Sequence, residues 1–120
     1  FVSSEINTAS NSVCLVAHNG QKFDFPILEA LIEKFKMKKN FEHLVKIDSL
    51  KAFQAIDRSV NGFVPTKSFK LSEIYERLFG KKIRDSHRSE ADTLACIECA
   101  QKFGQEFHKY IILNFEPLFN

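Results

Sequence analysis

The chain has 120 residues, 44 % of them apolar and 27 % charged, which is the make-up of one modest globular domain and excludes a disordered chain. Seventeen basic against fifteen acidic residues leave a net charge of +2, so any grip on nucleic acid has to come from a local patch rather than a global field. No apolar run approaches the roughly 20 residues of a membrane span, and no basic-then-apolar leader is expected at the start.

Residues 1–12 read as the end of a preceding helix followed by a polar loop. Residues 13–17, Val-Cys-Leu-Val-Ala, form a continuous apolar run of the kind found in a strand buried on both faces. The run stops at His18-Asn19-Gly20, a turn in which Gly20 can supply a positive φ. Pro26 then opens a helix. Ile27, Leu28, Leu31, Ile32 and Phe35 share one apolar face of it, and Lys34, Lys36, Lys38 and Lys39 form a solvated one. Residues 44–48 read as a second strand, with Ser49 capping a helix to about residue 56 and a loop over 57–67. Leu71, Ile74, Tyr75, Leu78 and Phe79 mark an amphipathic helix closed by Gly80. A basic turn at 81–84 precedes helices over 89–103 and 107–115. Strand–helix–strand–helix order with apolar strands predicts a parallel pair in an α/β sheet. Two strands are few for such a sheet.

Thirteen Phe and no Trp put much of the burial into Phe rings, each worth about 1.5–3 kcal/mol when fully buried. Three cysteines cannot make a disulfide framework. Cys96 and Cys99 lie mid-helix, away from the helix start where a redox Cys-x-x-Cys belongs, and no second pair completes a zinc site. They are expected as small core residues in a reducing, intracellular compartment.

Two clusters carry chemistry. Phe23-Asp24-Phe25-Pro26 opens the first strong helix, and His87-Arg88-Ser89-Glu90-Ala91-Asp92 opens a later one. Singly, Asp24 reads as an N-cap and Ser89 with Asp92 as a capping box. Together they read differently. A carboxylate just past a buried parallel strand sits where α/β proteins place ligands, and a second carboxylate with a nearby His could meet it there. Two acids beside a base that titrates near neutrality are parts of a metal-assisted phosphodiester hydrolase.

The run from Leu15 to Pro26, with its Ala17-His18-Asn19-Gly20 and Phe23-Asp24-Phe25-Pro26, resembles the second motif of the DEDDh 3′→5′ exonucleases, and within them the three-prime repair exonuclease (TREX) family. Lys67-Ser68-Phe69-Lys70-Leu71, Ile74-Tyr75 and Leu78-Phe79-Gly80 resemble the corresponding segment. Asp85-Ser86 and the His87 to Asp92 cluster resemble the third motif, with Ser89 where the family has Ala. The matched region runs over 13–103, followed by a C-terminal helix and tail at 104–120. The family's first motif, Asp-x-Glu, occurs nowhere: Asp24, Asp48, Asp57, Asp85 and Asp92 are followed two positions later by Pro, Leu, Ser, His and Leu.

The resemblance implies a ribonuclease H-like α/β exonuclease fold, here the C-terminal part of one domain without the N-terminal strands that carry the first motif. It implies Asp92 and Asp24 as metal ligands for two Mg²⁺ ions per complete site (Mn²⁺ as substitute) and His87 as general base. Phe23 would meet the terminal nucleotide, although it equally suits the core, and Asn19 would shape the turn and touch substrate. Lys22, Lys67 and Lys70 would contact phosphates. The implied activity removes mononucleotides from single- or double-stranded DNA 3′ ends, in nucleus or cytoplasm, in a family that dimerises through strands missing here. Without Asp-x-Glu the chain alone is expected to be inactive. The alternative is a non-catalytic module that binds nucleic acid or protein.

Overall fold

The structure is a computed structural model that describes the backbone of residues 2–5 and residues 13–85 and 88–119. Among them lie strands β1 (Val2–Glu5), β2 (Val13–Ala17), β3 (Val45–Asp48) and β4 (Glu116–Pro117). The helices are α1 (Asp24–Lys34), α2 (Lys38–Phe41), α3 (Ser49–Asn61), α4 (Leu71–Phe79), α5 (Ser89–Phe103) and α6 (Gln105–Asn114). The class is mixed α/β. The predicted parallel pair is present: β2 and β3 run side by side from Cys14↔Val45 to Ala17↔Asp48. They form the centre of a four-stranded sheet in the order β1-β2-β3-β4, with both outer strands antiparallel to their neighbours.

The central strands β2 and β3 are covered on both faces, because helices pack against both. Cys14, Val16, Val45 and Ile47 share one apolar cluster with Phe53, Ile74, Tyr75, Cys96, Cys99, Phe107 and Ile111 of α3 to α6. Phe53 is fully buried, with its ring 4.9 Å from that of Phe103 and 5.5 Å from Phe107. On the opposite face Ala17 packs with Phe25 and Ile32 of α1 and with Leu118. Lys46 is buried on that side as well, where its ammonium donates to the Leu118 carbonyl at 3.4 Å and lies 3.5 Å from Glu29. A buried lysine requires such partners.

Several expectations change. Residues 2–5 are strand β1, paired with β2, rather than the end of a helix. Helix α3 continues to Asn61, through part of the predicted loop, and stops where Gly62 takes φ 77°. Its N-cap is Asp48, whose carboxylate accepts from the Leu50 N–H, so Ser49 is the first helical residue and not the cap. Asp24 and Ser89 are also first helical residues, after Phe23 and Arg88, and neither helix start has a side-chain cap. Helix α1 buries Phe25 and Ile32 but leaves Ile27 and Leu31 exposed, as is Phe35 just past its end, so its apolar surface is wider than the core beneath it. Gly20 does not carry the positive φ of its turn; Asn19 does, at 56°. What Gly20 supplies is room, since a Cβ there would lie 2.7 Å from both the Ala17 Cβ and the Phe25 ring.

Candidate functional site

At the carboxyl end of β2 a cleft of about 380 Å³ opens between the sheet edge and α5. Its walls include Val16, Ala17 and His18 from the strand end, Asp24 from α1, Leu71 from α4, and Ser89, Asp92, Thr93 and Cys96 from α5. The two carboxylates that the sequence places far apart, Asp24 and Asp92, therefore face one space. Both are half-buried at the first turn of a helix, where the helix dipole favours negative charge. A larger cleft, about 510 Å³, lies on the other side of the α5 start against Tyr75, Arg84 and Glu98. It contains neither Asp24 nor Asp92.

The turn that delivers Asp24 is tightly bonded. The Asn19 carbonyl accepts from the N–H groups of Lys22 and Phe23 at 3.2 and 3.3 Å, and the Gly20 carbonyl accepts from Phe25 at 2.8 Å. The buried Asp48 carboxylate takes the Asn19 N–H at 2.8 Å and the Gln21 N–H at 3.2 Å, in addition to its own helix cap. Asn19 thus shapes the turn through its backbone, as expected.

His18 lies in the cleft wall and was not singled out from the sequence beyond its place in the turn. Its Nε2 is 2.8 Å from the Phe69 carbonyl, its Nδ1 is 3.0 Å from the Ser49 hydroxyl, and that hydroxyl is 3.4 Å from the Cys96 thiol. A carbonyl only accepts, so Nε2 carries the proton of the neutral ring. Nδ1 must then accept from Ser49, leaving the Ser49 oxygen to accept from Cys96. Burial pushes the His18 pKa below its ordinary value, against the opposing pull of the Phe69 carbonyl and the Asp48 charge. The neutral ring that this chain of bonds requires is therefore the favoured one. Burial also pushes the Cys96 thiol up, and Cys14 and Cys99 up to about 12. All three thiols are free, buried and protonated, as the mid-helix spacing predicts for Cys96 and Cys99.

The other predicted residues divide. Phe23 is 52 % exposed, with the Lys22 ammonium 5.5 Å from its ring centroid, so the core alternative fails for it. Lys70 is exposed and immediately precedes Leu71 of the cleft wall. Lys67 is not brought to the cleft; its ammonium pairs with Asp57 at 2.8 Å beside a separate groove between α3 and α4. His87 lies outside the described residues. Among the described residues no group of three or more His, Cys, Asp or Glu side chains gathers as a metal cage. The Asp24–Asp92 pair fits a more open kind of site, since Mg²⁺ is commonly held by one or two carboxylates and completed by water and substrate phosphate oxygens.

Comparison with known proteins supports the motif reading. The chain is 35 % identical over 106 residues to three-prime repair exonuclease 1 of Homo sapiens and 37 % identical over 106 residues to that of Bos taurus. In each case the match covers 87 % of this chain and 34 % of the relative. Three prime repair exonuclease 2 of Mus musculus is 31 % identical over 87 residues, 67 % of this chain and 35 % of that protein. No protein-family model matches. The chain thus spans about a third of the length of the curated relatives it matches. With both quoted motifs in order and 87 % of its length aligned, the chain belongs to the three-prime repair exonuclease family.

Proposed function

We propose that this chain carries the Asp24 and Asp92 half of a metal-dependent 3′→5′ exonuclease site that removes mononucleotides from DNA 3′ ends. The observation that carries the reading is that these two carboxylates, from α1 and α5, line one cleft at the carboxyl end of a parallel strand pair. On this reading the fold is the ribonuclease H-like exonuclease fold without the strands that bear Asp-x-Glu.

Asp92 and Asp24 would hold the cations, and two Mg²⁺ ions bound there would neutralise phosphate oxygens and stabilise the attacking and leaving oxygens. His87, two positions before α5 in the sequence, takes the proton of the attacking water, a role suited to a base with an ordinary pKa of about 6.5. The exposed Phe23 ring offers a stacking face to the terminal base. Lys22 and Lys70 add salt-sensitive phosphate contacts, and Asn19 holds the turn from which Phe23 and Asp24 project. The free thiols suit a reducing intracellular compartment.

Joining this chain to a segment whose strand ends in Asp-x-Glu should yield Mg²⁺-dependent release of mononucleotides from a 3′-labelled oligonucleotide. Asp92→Ala or His87→Ala should abolish that release while circular dichroism stays unchanged. Full activity in either variant contradicts the assignment. The second reading, a binding module without chemistry, rests on the missing Asp-x-Glu. Retention of the oligonucleotide by the completed protein with no shortening would favour it. Turnover by the 120-residue chain alone would show that the missing motif is dispensable.

A further inference from the structure

We propose that Asp48 and Ser49 are positioning residues that lock the turn bearing Asp24 against the helix bearing Asp92. The two sit at the end of β3 and the start of α3, and their side chains work in opposite directions. The Asp48 carboxylate reaches toward α1 and takes the backbone N–H groups of Asn19 and Gln21 in the turn that ends at Asp24. The Ser49 hydroxyl reaches toward α5, between His18 at 3.0 Å and Cys96 at 3.4 Å.

Cys96 lies four residues after Asp92, so both occupy one face of α5, and both line the cleft. His18 closes the loop by donating to the Phe69 carbonyl, two residues before Leu71 of the cleft wall. One dipeptide thereby ties together β2, the α1 turn, the segment before α4 and α5. Ser49 is fully buried and Asp48 is 7 % exposed. Solvent is therefore a poor substitute for any bond they lose. The hydrogen bonds also have one direction, Cys96 to Ser49 to His18 to Phe69, set by the accepting carbonyl at the end. A polar network satisfied this fully defines one arrangement of the groups around it. Neither residue is placed to touch a nucleotide; their effect is on where Asp24 and Asp92 stand relative to each other. The significance for catalysis rests on the reading of Asp24 and Asp92 as the cation ligands, whereas the lock itself does not.

The test uses the ¹⁵N-labelled 120-residue chain without metal. Histidine ¹⁵N spectra should show His18 in the single Nε2–H form. Ser49→Ala should keep the proton on Nε2, which the Phe69 carbonyl still requires, but change the signature by moving the Nδ1 signal to that of a ring nitrogen accepting no hydrogen bond. It should also speed amide exchange about tenfold, as expected for one lost buried hydrogen bond, at Asn19 and Gln21 and over residues 92–96 together. Cys96→Ser, which keeps a donor to Ser49, should preserve both readings. Asp48→Asn should loosen the turn amides while His18 keeps its form; if that variant fails to fold, Ser49→Ala decides. An unchanged His18 signature in Ser49→Ala, or faster exchange confined to α3, overturns the proposal. In the protein completed with Asp-x-Glu, Ser49→Ala should lower kcat at least tenfold with KM little changed. Absence of any nuclease activity in the completed wild type would sink the proposed function, and the spectra and exchange rates would still judge the lock.

Discussion

The first turn of α1 and the outer face of the same helix draw on the same residue types and meet opposite fates. At the first turn Phe25 is 1 % exposed, packed beneath Gly20 and Ala17, and the preceding backbone is bonded to Asp48 from a neighbouring strand. Along the outer face Ile27, Leu31 and Phe35 recur at helical spacing and stay exposed among the described residues, Phe35 at 63 %. The difference is one of supply. The sheet edge and Leu118 offer a surface for one narrow stripe, taken by Phe25 and Ile32. Apolar periodicity reports which faces of a helix are apolar, and the neighbouring surface decides how many of them are covered.

That contrast can be broken by mutation. Phe25→Ala should cost about 3–5 kcal/mol in urea unfolding, the range for removing a buried ring and leaving a cavity. A loss under 1 kcal/mol would show that the first turn is not the anchor. Gly20→Ala should cost about 1–3 kcal/mol, because the new methyl must displace the Phe25 ring or Ala17, each 2.7 Å away. Preserved stability there would mean the turn relaxes freely.

A smaller effect follows from pH. The His18 pKa is lowered in the folded chain, so the unfolded chain binds more protons once pH falls below about 6.5. The share of stability linked to neutral His18 is thus fully present above that pH and is lost as pH falls toward the folded pKa. His18→Gln should flatten this part of the stability profile, and an unchanged profile would place the acid sensitivity elsewhere. Smallest of all, Leu31→Ser on the bare face should change stability by no more than about 0.5 kcal/mol. A larger loss would show that the outer stripe is covered in solution.

The elements with strong local signals were legible in the sequence. The strand 13–17 and the helices 71–79 and 89–103 match their apolar runs residue for residue, and Gly80 ends its helix in the left-handed conformation. What escaped depends on partners. Strand β1 is polar and exists through its pairing with β2, and β4 is two residues that pair with β3. Helix α3 outran its expected end because Asn61 and Asp57 bond across its last turn, where the composition reads as loop. The carboxylate pair of the site was visible through its motifs. The network behind it was not, since Asp48, Ser49 and Cys96 look like a strand end, a cap and a core thiol until the chain is folded. An Asp-Ser pair at the carboxyl end of a parallel strand was the one available signal.

Titration of the ¹⁵N-labelled chain with Mn²⁺ tests most directly that Asp24 and Asp92 form one cation-binding pair. Paramagnetic broadening should strike the Asp24 and Asp92 amides first and at the same concentration, and Asp92→Asn should protect both. Broadening that reaches them separately, or that begins at Asp57 or the carboxylates of the larger cleft, would contradict a shared site.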